Sequence, residues 1–557
     1  MPSRSFLLAF VIALATTTSL LSGAAAADDG PIVAWSVHND TSPPLRELVG
    51  KDQDSAAGET VEINPLGVLP KSLDTAEGSS IAPSEVALGE PTPDPDLTFQ
   101  GISATGFIPP DTNGDIGPSH YVQVVNAKYA VYSRTGALLF GPLNFNTIFA
   151  GFGGICQTDN DGDPIVLYDN DADRWLISQF GLDFPGGSES YHQCIAISAT
   201  GDPTGSWHRY DFFWDDEVFN DYPHFGVWPD AYYMAVNQFD GGTFAWRGQG
   251  VAAFERDRML QGLSAQMVKF DLFGHNPDFG GMQPADWDGP FPFPLVEGVA
   301  PPGLFAEWDN APVLGPDDAV RLWEFAVDWT TPANSTFGIA LEPNSTLVTA
   351  DVDPSISSVP QPPPGVGLDA IADRLMNRLA YRDFGSHGSI VTNHTVDANG
   401  ANRAGIHWLE IRNPFGNGPQ GSASLFQQGV WSPDSTHRWM GSIAQDGAGN
   451  IALGYSVSST SLFPSIRYAV RQPTDAAGSL RIEAEAFTGT GAATANRWGD
   501  YSSMNVDPND ASFWYTTEFL ETNGTSWRTG IAHFSVNTLF ADGFEAGDTA
   551  AWDVTTN

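Results

Sequence analysis

Three arginines recur at nearly constant spacing in this 557-residue chain: Arg378, Arg438 and Arg497, 60 and 59 residues apart. Each follows an Asn or His and precedes a large apolar residue. Guanidinium groups brought from equivalent repeat positions to one axis can hold a carboxylate through paired hydrogen bonds. Equivalent positions also recur for structural reasons, with Asp383, Asp446 and Asp500 nearby in sequence as partners. Two further stretches place oxygen side chains on alternate residues of a glycine-containing loop. They are Asp111, Asn113 and Asp115, and Asp159, Asp161 and Asp163. A hard cation such as calcium takes six to eight oxygens, and this spacing begins to supply them. Neither stretch is an EF-hand, because the twelfth position is Val122 in one and Asn170 in the other. Solvated Asx turns would use the same residues.

Other chemistry is poorly represented. Glu483 and Glu485 alternate on a strand-like run and would share a face, as glycoside hydrolysis by paired carboxyls needs. A solvated strand face is the reading preferred for them. His387, His394 and His407 lack zinc-ligand spacing and read as core or surface histidines. No His-Glu-x-x-His, Gly-x-Ser-x-Gly or Gly-x-x-x-x-Gly-Lys-Ser/Thr pattern occurs. With four lysines, a net charge of −43 and a pI near 4.2, nucleic acid is excluded as a natural partner. The same charge argues against an electrostatic grip on anionic lipid.

The elements that must position these residues are strands. The chain is 41% hydrophobic and 12% aromatic, with 58 Gly and 41 Pro, which fits a turn-rich β protein. Short alternating runs such as 120–126, 174–180, 193–198, 232–239, 405–411, 450–458 and 513–519 carry strand spacing. Residues 369–381 place Ile371, Leu375 and Leu379 at helical spacing, but the segment is read as non-helical. The arginine-bearing units repeat about every 60 residues, and a weaker copy begins at Gly162. The expectation is an all-β fold, a β-propeller of six or seven blades over 105–537, with two tandem β-sandwiches as the alternative. Most of the 17 Trp should pack between sheets, and 276–318 reads as a Pro/Gly-rich loop over one face.

Two turns resemble the Asp-box of sialidase-type propellers, Ser/Thr-x-Asp-x-Gly-x-x-Trp. They are Thr200-Gly-Asp202-Pro-Thr204-Gly-Ser-Trp207 and Ser432-Pro-Asp434-Ser-Thr436-His-Arg-Trp439, both with Thr in place of Gly. Looser relatives end at Trp175 and Trp514. The resemblance implies a sialidase-like propeller. It also implies an arginine set for a substrate carboxylate, but no Phe/Tyr-Arg-Ile-Pro motif accompanies it. The chain is similar as well to secreted bacterial propeller proteins with no assigned chemistry.

Residues 1–27 read as a secretory signal, with Arg4, an apolar run and Ala25-Ala26-Ala27 before Asp28. In an oxidising compartment Cys156 and Cys194 are expected to pair. Residues 28–104 read as a Pro-rich extended leader or linker. Residues 538–557 form a C-terminal tail. Its Asp542–Trp552 core resembles a short tail on many exported Gram-negative proteins and could act as a sorting or surface-attachment tag. The functional expectation is a secreted, calcium-stabilised, monomeric propeller that binds an extracellular glycan or protein without clear catalysis. The alternative is a sialidase-like or other glycan-cleaving hydrolase with the arginines in the channel.

Overall fold

The computed structural model describes residues 30–48, 62–63, 69, 80–83, 88–182, 190–291, 300–415, 422–509 and 512–536. The signal segment 1–27 and the tail 538–557 lie outside the described residues.

Six sheets of four or more strands follow one another along the chain, and the nine-stranded one divides into two antiparallel halves, making seven blades. Their innermost strands are Asn113–Ile116, Ile165–Asp169, Val218–Val227, Gln283–Trp287, Met376–Asp383, His437–Gln445 and Ser503–Val506. Each inner strand touches the next, and the seventh touches the first, so the ring closes. The inner strands of blades 4 and 5 also pair in parallel, Ala285 beside Leu379. Parallel inner strands give the channel two chemically distinct ends, one at their N-termini and one at their C-termini.

Side-chain oxygens tie inner strands together where no continuous ladder does. Asn113 Oδ1 accepts the Val166 N–H and Asp115 Oδ2 the Tyr168 N–H, fastening blade 1 to blade 2. Asp286 Oδ1 accepts the Val227 N–H between blades 4 and 3. Between the sheets lies aromatic and aliphatic core. Trp175, Trp207, Trp214, Trp228, Trp308 and Trp323 are among the fully buried side chains, as expected of inter-blade packing.

The described parts of the leader form a belt on the propeller. Ile32–Trp35 adds a fifth strand to blade 3, and His38–Thr41 adds one to blade 2. Arg209, 2% exposed, holds the belt through two hydrogen bonds to Asp40. Leu97–Ser103 forms the outer strand of blade 7, so the N-terminal region closes the ring and the propeller begins before residue 105. An unpaired sheet edge is stabilised by such pairing, which is why a sequence without periodic apolar pattern still orders. The expected loop 276–318 is also corrected: it contains Gln283–Trp287 and Gly303–Asp309, two strands of blade 4. Residues 369–381 are not helical, and Met376–Asp383 is a strand. Cys156 and Cys194 form a disulfide that joins a short helix, Ile155–Thr158, to blade 2.

Candidate functional site

The recurring arginines do not converge. Arg378 bonds Asp288 through Nη1 at 3.0 Å and Nη2 at 2.8 Å, and reaches Asp286 at 2.5 Å. Arg438, fully buried, turns to its own blade and takes Glu483 at 2.8 and 2.9 Å and Asp434 at 2.9 Å. Arg497 bonds Asp500 at 2.9 and 3.0 Å and Asp369 at 2.5 Å. Of the partners foreseen from sequence, Asp500 is the one used by its arginine here. Glu483 also receives Arg467 and the Tyr455 hydroxyl, so these charge-assisted bonds hold its carboxyl below the ordinary range, even against burial. Glu485, the other member of that pair, is paired with Arg467 at 3.4 Å on the solvent side.

The two cation stretches do not form loops around a common centre. Asn113 and Asp115 lie within an inner strand, with oxygens on the backbone of blade 2. Asp159 accepts from the Thr158 hydroxyl and Asp161 from the Leu182 N–H. Among the described residues no three His, Cys, Asp or Glu side chains form a group that could hold a metal ion.

One aspartate from each stretch goes instead to the N-terminal end of the channel. Asp111 and Asp163 both sit at positive φ and are joined by Asn126. Its amide donates to Asp111 Oδ2 at 2.5 Å, and its carbonyl oxygen accepts the Asp163 N–H at 2.9 Å. Asp500 of blade 7 gives its N–H to Asp111 Oδ1 at 2.9 Å, and Tyr501 gives its hydroxyl to Asp163 at 3.1 Å. Asp221 of blade 3 joins them at a bulge, packed about by protein yet with part of its surface open. Burial and then the charge of Asp500 push Asp111 up to about 7 and Asp221 up to about 6. Burial, followed by Asp111 and Asp221, raises Asp163 well above the carboxylate range. Tyr222, His224 and Tyr501 stack across this end with ring centres 4.3–5.1 Å apart. Arg374 lies over the Tyr222 ring. These side chains fill much of this end and leave Asp221 part-exposed.

The C-terminal end is different. Asp115, Asp286, Trp287, Asp288, Arg378 and Asn505 line a cavity of about 70 Å³. Burial raises Asp115 to about 8 despite Arg378. Trp287 is braced edge-on by Trp228, Tyr381 and Phe291. Three buried polar atoms here have no partner: Arg378 Nε, Trp287 Nε1 and Asn505 Oδ1. Sequence reasoning reached Arg378 and Asp115, and noticed the run around Trp287 only as loop. Nothing in the sequence signalled Asn505.

The Asp-box-like turns are local devices. Asp202 Oδ1 accepts the Thr204 N–H at 2.9 Å and its hydroxyl at 2.7 Å, while Trp207 donates to the Pro203 carbonyl at 3.0 Å. That turn joins the outer two strands of blade 2. The turn at Asp434 instead links blade 5 to blade 6, and those before Trp175 and Trp514 lie in inner hairpins.

No family model matches the chain, and no curated protein matches it. Among solved structures it is similar to phage phi92 endosialidase, at 8% identity over 67% of this chain and 66% of that chain, TM-score 0.35. It is also similar to Trypanosoma rangeli sialidase, at 9% identity over 66% of this chain and 54% of that chain, TM-score 0.32. A Bacillus megaterium levansucrase variant gives 10% identity over 80% of this chain and 98% of that chain, TM-score 0.27. The chain thus spans about two thirds of the endosialidase and about half of the sialidase. At such identities the likeness concerns fold alone, and the propeller assignment rests on the closed ring of seven blades.

Proposed function

We propose that the protein is an exported β-propeller that binds an extracellular ligand, a glycan or a protein, without turning it over. The observation that carries this reading is the separation of the three arginines. Each guanidinium is neutralised by its own carboxylates, so no free cationic set faces a common pocket. The N-terminal end of the channel, where carboxyls gather, is largely filled by Tyr222, His224 and Tyr501. What remains is a rigid ring with a polar cavity and loops, the arrangement of a binding scaffold. The 27-residue leader and the disulfide support export, and the C-terminal tail supports surface attachment.

A second reading, a glycan-cleaving hydrolase, is favoured by one observation. Asp111, raised to about 7, lies beside Asp500, whose carboxylate is held by Arg497. Two neighbouring carboxyls, one of them raised by burial, are the kind of pair that acetal hydrolysis uses. Product analysis by mass spectrometry after incubation with sialylated and neutral glycans separates the two. Intact glycans support binding. Released sugar that disappears in Asp111→Asn supports cleavage.

A further inference from the structure

The C-terminal end of the channel combines three features. It has a cavity, it has buried polar atoms without partners, and its charges are of both signs. Arg378, Trp287 and Asn505 are 5%, 6% and 4% exposed, so their bare Nε, Nε1 and Oδ1 atoms are cut off from bulk water. A buried donor or acceptor left unmade costs about 1–3 kcal/mol. Three around one space point to something that fills it. Two are donors and one is an acceptor, and Asp288 adds carboxylate oxygens beside them.

The charges restrict the ligand. An anion would face Asp286 and Asp288 with Arg378 already engaged by them, and a cation would find those same carboxylates engaged by Arg378. A neutral molecule that both donates and accepts hydrogen bonds meets neither penalty, and hydroxyl groups do both. The Trp287 ring adds an apolar wall fixed by its neighbours. Gly289, at φ +87°, leaves the Arg382 guanidinium room: a Cβ there would stand 2.7 Å from its Nη1. The space suits the hydroxylated edge of a sugar ring.

We propose that this end of the channel is a subsite for an uncharged saccharide, held by Arg378 Nε, Trp287 Nε1, Asn505 Oδ1 and Asp288. The proposal rests on the binding reading and selects glycan over protein as the ligand. Water alone would fill the same space, and the experiment distinguishes the two.

The test is a calorimetric titration of the mature chain with neutral oligosaccharides of glucose, galactose, mannose and xylose. Glucuronate- and glucosamine-containing oligosaccharides serve as charged counterparts. Trp287→Phe keeps the ring and its packing but removes the N–H. Asn505→Ala removes the acceptor. The expected result is saturable binding of at least one neutral oligosaccharide, weakened about fivefold or more by each variant, as for one lost hydrogen bond. Charged counterparts bind more weakly. Thermal unfolding of both variants shows that they fold. Saccharide binding that both folded variants leave unchanged overturns the subsite but leaves the binding reading intact. Equal binding of the charged counterparts overturns its assignment to neutral ligands. No saccharide binding means that the cavity holds water only. A protein ligand at another surface would still satisfy the binding reading, and release of sugar would defeat that reading separately.

Discussion

The two ends of the channel are built from the same residue types and behave differently. At the N-terminal end Asp111, Asp163 and Asp500 are knitted to Asn126, Tyr501 and Arg497, with the rings of Tyr222, His224 and Tyr501 packed together there. At the C-terminal end Arg378 ties Asp286 and Asp288 but leaves its own Nε, Trp287 and Asn505 unmatched around a cavity. Buried polar groups that satisfy one another make a fastening, whereas those that do not make a place for something else. Acid content alone therefore does not mark a functional site in this protein, and neither do unmade hydrogen bonds alone, since Tyr222 Oη and His224 Nδ1 at the N-terminal end also lack partners; the C-terminal end is set apart by the cavity beside its unmatched groups.

The largest effect should come from breaking the ion cluster that frames the open end. Arg378→Met leaves Asp286 and Asp288 buried without their cation and should cost about 3–5 kcal/mol in a denaturant titration. Arg438→Met should cost a similar amount through Glu483 but leave saccharide affinity unchanged, because Arg438 faces its own blade. Loss of affinity in that variant, with the fold intact, would break the distinction between framing and fastening residues. Replacing both Cys156 and Cys194 by Ser removes a 38-residue cross-link and should lower stability by about 2–4 kcal/mol, with the same neutral effect on binding.

The N-terminal end should be the pH-sensitive one. Asp111 and Asp221 have folded values near 7 and 6, above their unfolded value of 3.8. The folded state therefore binds protons more tightly. Their unfavourable contribution is absent below about pH 4, grows through pH 4–7 and is complete above it. The thermal midpoint should fall from pH 5 to pH 8, and Asp111→Asn should flatten that fall. A variant profile parallel to wild type would remove Asp111 from the account. The calcium reading of Asp111, Asn113 and Asp115 and of Asp159, Asp161 and Asp163 predicts that chelation lowers the midpoint, as loss of a native-state ligand does. An unchanged midpoint after verified metal removal would take calcium out of the account. The smallest effect belongs to the rim: Arg46→Ala breaks an exposed pair with Asp202 and should stay within about 0.5 kcal/mol.

Much of the fold was legible in the sequence. Strand runs near 174–180 and 450–458 and the turn at Asp202 reflect local chemistry, whereas Arg378, Arg438 and Arg497 recur in sequence but take different partners in the fold. The belt was not legible, because His38–Thr41 and Leu97–Ser103 become strands only when sheet edges more than 100 residues away receive them. The site was less legible still. Asp111 and Asp163 lie 52 positions apart in sequence, and the Asn126 that joins them carries no motif. Trp287 and Asn505 belong to different blades and carry no shared pattern. Repeats show where blades are, and departures from the repeat show where blades meet.

The most direct measurement is mass-spectrometric product analysis of the purified mature chain incubated with sialylated and neutral glycans, with bound glycan recovered in parallel. The account predicts that every glycan is recovered intact and that the bound fraction is enriched in neutral species. Released monosaccharide or disaccharide that vanishes in a folded Asp111→Asn variant would contradict it and make the N-terminal end the active site.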